Sequence, residues 1–303
     1  MEAHATNPRL TLDTLPAEIL ENILLYSTNL SLPKAHPLIG LKLSQKATLI
    51  RLFIWAFHET WDGWFGFPTA KTLLGPHINV HGKEQTTVDG DHDLQTALLR
   101  QPWATTDFIL QAQQTWAESY GRGRWYQHSL PWNEEPIDLK HSHHGGHCHF
   151  DSRKCFEVDY QQALKWAPFQ SSSYPWGYQD VHPKAQAPTD LLTGPWNDEQ
   201  LRRLFWLTRG GLMGFNARGD NAPSWEIKLQ FLRNAILDVS EVNVLAVNCL
   251  MCNNVYQDIP RDILMKEKEN ISTRLQWGDD TDNGRQILEQ VRDSMDMVLQ
   301  YSR

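Results

Sequence analysis

Cysteine is scarce in this chain, and long runs of apolar or basic residues are absent. Only four cysteines occur in 303 residues, which gives no disulfide framework. No apolar run is long enough to cross a bilayer, and the polar N-terminus lacks the apolar centre of a secretory signal. A net charge of −8 without a basic run argues against nucleic-acid binding. These absences predict a cytoplasmic or nuclear protein with free thiols that binds neither membrane nor nucleic acid.

The sequence also lacks the short motifs that mark common active sites. It contains no Gly-x-Ser-x-Gly elbow and no His-Glu-x-x-His zinc pair. The glycine-rich stretch 209–214 lacks the Lys-Ser/Thr of a phosphate loop. Cys249 and Cys252 have redox spacing, but their apolar helical context favours core packing over reactivity. We therefore expect that the chain does not itself carry out catalysis.

Aromatic residues and helical periodicity are abundant. Thirteen tryptophans and a hydrophobic fraction of 41% indicate a folded protein with a substantial core. Residues 121–200 are rich in turn-forming residues and predict an irregular region, with a short extended piece at 155–160. Apolar spacing predicts a helix over about 105–120 and a mostly helical region over 197–301. This region begins with a helix for which Asn197 is the candidate cap, includes an antiparallel pair of helices within 225–252, and ends with a helix over about 285–301. The predicted fold class is mainly α.

The N-terminal segment carries the most specific pattern in the chain. Pro16 stands where a helix begins, a position that suits its fixed φ and missing N–H. Ile19, Leu20, Ile23 and Leu24 then form one apolar stripe at helical spacing. Short turns follow, and a further helical pattern runs over about 44–58. A stripe of this kind must be covered, either by the rest of the chain or by another protein.

The segment LTLDTLPAEILENILLYSTNLSLPKAHPLIGLKLS resembles an F-box, most closely the divergent F-boxes of filamentous-fungal proteins. Its first half carries the likeness, whereas His36-Pro37-Leu38-Ile39 departs from the Cys/Ser-Arg-x-hydrophobic run of many F-boxes. The resemblance implies a three-helix module over 10–58, followed by an irregular, aromatic-rich, mostly helical target-binding domain over 59–303. It also implies binding to the Skp-type adaptor of an SCF ubiquitin ligase, which recruits the cullin, and to an unidentified protein target. The partner-binding residues that it implies are Leu15, Pro16, Ile19, Leu20, Ile23, Leu24, Leu32 and Leu38.

A histidine-rich segment supports a different hypothesis. Residues 141–149 contain five histidines and one cysteine, and imidazole and thiolate are suitable zinc ligands. The candidate ligands are His143, His147, Cys148 and His149. The alternative is a solvated loop without a cofactor, because the spacing matches no familiar metal module.

Three functions therefore stay open at this point. The leading hypothesis is an SCF substrate-recognition adaptor without a cofactor. The second is a metal-dependent or small-molecule enzyme on an F-box-derived fold, which would use the histidine-rich segment. The third is an interaction scaffold in which the N-terminal apolar helix packs internally.

Overall fold

A computed structural model describes residues 11–64, 90–121, 150–169, 180–211, 223–251, 255–256 and 258–301. The predicted mainly α class is confirmed, since these residues form helices and turns and contain no β-strand. No helix in this described part of the chain combines the length and apolar character needed to span a membrane. The helices, in chain order, are α1 (Ala17–Ser27), α2 (Pro37–Leu43), α3 (Lys46–Trp64), α4 (His92–Leu99), α5 (Thr106–Tyr120), α6 (Ser152–Ala163), α7 (Thr189–Thr193), α8 (Asp198–Arg209), α9 (Trp225–Leu232), α10 (Val244–Leu250), α11 (Arg261–Trp277) and α12 (Asp282–Tyr301).

The first three helices pack against one another around a small apolar core. Leu20 and Leu24 of α1 are buried together with Ile39 and Leu43 of α2 and Leu52 of α3. Each such side chain contributes roughly 1.5–3 kcal/mol when fully buried. Short 3₁₀ turns precede α1 and α2. We refer to residues 11–58, which include the first part of α3, as the N-terminal module.

Helix α3 continues beyond the N-terminal module into an aromatic cluster of the downstream core. The ring of Phe57 in α3 stacks on that of Phe53, with the ring centroids 4.4 Å apart, and its centroid lies 5.3 Å from that of Trp61. Trp61 contacts Trp116 of α5, and Phe57 contacts Trp206 of α8. The N-terminal module and the downstream helices therefore share one helix and one continuous core.

The extent of α3 differs from the prediction. The helix begins at Lys46 and ends at Trp64, whereas the sequence predicted 44–58. The apolar stripe continues through Phe57 and Trp61, four residues apart, so the helix has a buried face well beyond residue 58. The domain boundary predicted between residues 58 and 59 lies inside this helix.

Part of the region predicted as irregular is helical. Residues 152–163 form α6, so the extended piece predicted at 155–160 is wrong. The Asp151 side chain accepts a hydrogen bond from the backbone N–H of Lys154 at 2.9 Å and caps the helix. Phe156 and Tyr160, four residues apart, both pack against Phe205 of α8. These two aromatic side chains give a mostly polar segment an apolar face, and the contact with α8 buries it.

The segment that begins at Asp180 connects the module's long helix to the downstream core. The indole N–H of Trp61 donates to the Asp180 carbonyl at 2.9 Å. The His182 backbone N–H donates to Gln95 Oε1 at 2.9 Å, and Gln95 Nε2 donates to the Ala56 carbonyl at 3.0 Å. These buried bonds hold α3, α4 and the 180–187 segment together.

The C-terminal helices pair differently from the prediction. Helix α10 packs mainly against α8 and makes a smaller contact with the π-helical turn Arg233–Leu237, so the antiparallel pair predicted within 225–252 is not the main packing of this helix. A π-helical turn at Arg233–Leu237 and the bend after it redirect the chain before α10 begins. The helical hairpin of this region is instead α11 with α12. It is tied by an ion pair between Lys268 and Asp296 and by a 2.9 Å bond from Arg261 to the Leu299 carbonyl.

Candidate functional site

The predicted partner-binding residues divide between the inside and the outside of the N-terminal module. Leu20, Leu24 and Leu32 are buried in its core. Side chains at these positions contact the module itself, so any effect on a partner acts through the shape of the module. Leu15 and Ile23 are half-buried against the same core.

The remaining predicted residues are exposed to solvent. Ile19 of α1 is 46% exposed, Leu38 of α2 is 49% exposed, and Pro16, which precedes α1, is also exposed. Two further leucines that the sequence did not single out, Leu12 and Leu41, are also exposed. Leu41 follows Leu38 by three residues, the spacing that places two side chains on one side of a helix. We call Leu12, Pro16, Ile19, Leu38 and Leu41 the N-terminal apolar face.

Hydrogen bonds fix the elements that carry this face. The Lys42 ammonium donates to the carbonyls of Asp13 at 2.8 Å and of Leu15 at 2.7 Å, and so joins α2 to the chain before α1. His36 Nδ1 accepts from the Leu38 N–H at 3.3 Å at the start of α2. The exposed leucines therefore project from short helices whose positions are set by other contacts.

An ion pair holds α1 against α3 within the module. Arg51 donates to Glu21 Oε2 at 2.6 Å, and the Thr48 hydroxyl donates to the same oxygen at 3.2 Å. The hydrogen bond from Arg51 holds the pKa of Glu21 below its usual value and raises the pKa of Arg51. Both groups stay charged and paired at neutral pH.

An exposed aromatic pair lies at the C-terminal end of α1. Tyr26 is 80% exposed and meets Trp55 of α3 edge to face, with ring centroids 5.9 Å apart. Aromatic side chains are enriched at the centres of protein interfaces. Tyr26 follows Ile19 by seven residues, close to two full helical turns, so it extends the exposed side of α1.

A groove of about 480 Å³ opens among α5, α6 and α8, and its charged groups are largely paired. Arg153 lies 3.5 Å from Asp107, and Arg202 lies 2.7 Å from Glu157. The hydrogen bond from Arg202 keeps the pKa of Glu157 low. Groups paired in this way offer neither a general base near neutral pH nor an uncompensated charge for a ligand.

A buried charge cluster lies between α6 and α8. Arg209 of α8 and Asp159 of α6 form an ion pair at 2.9 Å, and both side chains are 1% exposed. Burial raises the pKa of the nearby Asp180 carboxyl, while Arg209 and a hydrogen bond with Gln113 act to lower it. The cluster is enclosed by α5, α6 and α8, which indicates a structural role.

The cysteines of the described chain have the properties of core residues. Burial raises the pKa of the Cys155 thiol to about 11 and that of Cys249 to about 12. A thiol with so high a pKa is almost entirely protonated at neutral pH and reacts poorly. Cys252, the second member of the predicted pair, lies outside the described residues, as does Cys148.

The predicted metal ligands His143, His147, Cys148 and His149 also lie outside the described residues. Within the part of the chain that the structure describes, no group of three or more His, Cys, Asp or Glu residues is placed to hold a metal ion. The zinc hypothesis therefore stays a prediction from the sequence.

No protein-family model, no curated protein and no solved structure matches this chain. The F-box resemblance of the N-terminal segment therefore stays a prediction from its residues.

Proposed function

We propose that this protein is a substrate-recognition adaptor of an SCF-type ubiquitin ligase. Its N-terminal module binds the Skp-type adaptor, which brings the cullin, and the remainder of the chain binds a protein target. The observation that carries the proposal is the exposure of Ile19, Leu38 and Leu41 on a module that has its own buried apolar core. Exposed apolar side chains that are held in place by neighbouring elements are suited to docking against another protein.

The energetics agree with a docking role. Burying one leucine or isoleucine side chain contributes roughly 1.5–3 kcal/mol, and a few central residues carry most of the binding energy of an interface. Ile19 and Leu38 are each about half exposed, so a partner that covers both removes a substantial apolar area from water. The rim of such an interface would include the half-buried Leu15 and Ile23.

The continuity of α3 supports the same proposal. A ligase adaptor must hold its target at a fixed position relative to the ubiquitin-transfer machinery. Leu52 in the first half of α3 is buried in the module's core, while Trp61 in the second half contacts Trp116 and donates to the Asp180 carbonyl. A bound target would therefore be oriented by a rigid helix.

The test is binding of the full chain to the purified Skp-type adaptor. The variant Ile19→Asp with Leu38→Asp places two charges on the N-terminal apolar face without entering the core. Loss of two apolar contacts of this size predicts an affinity at least roughly 100-fold weaker, since about 1.4 kcal/mol is a factor of ten. Isothermal titration calorimetry measures the change.

The matched control is Met265→Asp with Met297→Asp, two exposed methionines of α11 and α12. This control adds the same charge far along the chain and should bind as the wild type does. Substituting Leu20 would not serve, because a charge at that buried site would unfold the module. The proposal fails if the wild type shows no micromolar affinity, or if the Ile19/Leu38 variant binds equally well.

A further inference from the structure

The N-terminal module contains a long stretch without acidic residues. No Asp or Glu occurs between Glu21 and Glu59, in a chain that has 36 acidic residues among 303. At that average frequency, residues 22–58 would hold about four. The stretch carries four cations instead: Lys34, Lys42, Lys46 and Arg51. An otherwise acidic protein is therefore locally basic where it carries Leu38 and Leu41.

Two of these cations are engaged within the module, and two are available to a partner. Arg51 is paired with Glu21, and Lys42 donates to backbone carbonyls near the start of α1. Lys34 and Lys46 are exposed, and neither forms an ion pair with any residue that the structure describes.

The two free lysines stand at opposite ends of α2. Lys34 ends the 3₁₀ turn before the helix, and Lys46 is the first residue of α3 after it. At about 1.5 Å per residue, the seven residues of α2 span roughly 10 Å. In chain order, the exposed Leu38 and Leu41 therefore lie between two lysines that stand at the two ends of the same short helix.

We propose that the partner surface that covers Leu38 and Leu41 is an acidic protein surface, and that Lys34 and Lys46 set the rate and specificity of its docking. This inference rests on the proposed function and names the chemistry of the adaptor's contacting face. Charges at an interface rim steer the encounter and reject partners of like charge, while the apolar centre supplies the affinity. Carboxylates on the adaptor would meet the lysines on both sides of the two leucines.

An anionic membrane is the competing acidic surface, and the charges argue against it. Electrostatic attachment to lipid takes clusters of about four to eight lysines or arginines at one place. Among the cations of residues 22–58, only Lys34 and Lys46 have side chains that form no bond with the residues that the structure describes, and the whole chain carries a charge of −8 that an anionic bilayer would repel.

The experiment measures association of the full chain with the purified Skp-type adaptor by stopped flow. The variant Lys34→Glu with Lys46→Glu should associate roughly 10-fold more slowly at 0.1 M salt, with a dissociation rate changed by less than about 3-fold. The difference should shrink at about 1 M salt, where the screening length falls from about 10 Å to about 3 Å. Lys34→Gln with Lys46→Gln should show an intermediate rate.

The matched control is Lys165→Glu with Lys266→Glu, which changes the net charge equally at two exposed lysines outside the module. An equal slowing in this control would assign the effect to net charge and overturn the inference. Unchanged association of the Lys34/Lys46 variant would overturn it while leaving the ligase proposal standing. A third outcome would assign the face to lipid: the wild type sediments with phosphatidylcholine vesicles that contain phosphatidylserine, whereas the Lys34/Lys46 variant does not, and the variant binds the adaptor as the wild type does. Absence of any wild-type binding to the adaptor would overturn both proposals.

Discussion

Identical residues have opposite roles within the N-terminal module, and their neighbours decide which. Leu20 lies in the core between α1 and α2, whereas Leu41 is 72% exposed on α2. A buried leucine stabilises the fold through lost water contact and close packing. An exposed leucine contributes little to the fold, and its apolar area is available to a partner.

Truncating the two leucines should separate stability from binding. Leu20→Ala should lower the free energy of unfolding by about 2–5 kcal/mol, because it leaves a cavity in the core. Leu41→Ala should change it by less than about 0.5 kcal/mol, as is usual for exposed positions. Urea unfolding followed by tryptophan fluorescence measures both.

Under native conditions, the loss of affinity for the adaptor should follow the reverse order, with the larger loss in Leu41→Ala. Leu41→Ala should weaken binding, while Leu20→Ala should leave the folded fraction binding with little change. A Leu41→Ala variant as unstable as Leu20→Ala would contradict the exposure of this side chain.

At the scale of single elements, end-capping residues explain where several helices begin. The Asn197 side chain accepts from the Gln200 N–H at 2.9 Å, and the Gln200 side chain accepts from the Asn197 N–H at 3.0 Å. This reciprocal pair confirms the helix start predicted at Asn197. Helix α6 begins in a similar way at Asp151, but its low apolar content concealed it in the sequence.

Removing the cap should weaken α8 by a predictable amount. Asn197→Ala should lower the free energy of unfolding by about 1 kcal/mol, because a backbone N–H at the helix start loses its acceptor. Asn197→Ser retains an acceptor and should lose only a fraction of that. Thermal unfolding by circular dichroism compares the two, and equal losses in both variants would show that the cap is not the cause.

Across the whole molecule, the buried cluster of Asp159, Asp180 and Arg209 joins α6, α8 and the 180–187 segment in a setting that disfavours charge. One cation faces two carboxyl groups, and burial is the largest influence on Asp180, so its pKa in the folded state lies above the ordinary value. The folded protein therefore holds this proton to higher pH than the unfolded chain does. Above about pH 4 the unfolded chain releases it first, so this group makes the folded state less stable as pH rises.

Asp180→Asn should remove that pH dependence. The free energy of unfolding of the variant, relative to the wild type, should rise between pH 4 and pH 7, because only the wild type loses stability as the unfolded chain releases this proton. Chemical denaturation at both pH values provides the measurement. Asp293→Asn, at an exposed carboxyl, serves as the control and should show little change. A relative stability that stays constant or falls with pH would contradict the raised pKa of Asp180.

The described architecture follows from local signals only in part. Helical periodicity located α5, α8 and α12 to within a few residues, because each has an apolar stripe and two begin at clear signals. The end of α3, the existence of α6 and the pairing of α10 did not follow from local pattern. These features depend on contacts between residues far apart in sequence, such as Phe156 with Phe205.

The sequence by itself determined that the protein is mainly helical and that its N-terminus carries an apolar helix, because periodicity of apolar residues is a property of neighbours along the chain. Only the tertiary structure decided which side chains of that helix serve the core and which face outward. Leu20 and Ile19 are adjacent and similarly apolar, yet one is buried against Ile39 and Leu43 while the other is exposed. Which of the two side chains is buried depends on where α2 and α3 pack against α1, because the hydrophobic effect stabilises only by the apolar surface that this packing removes from water.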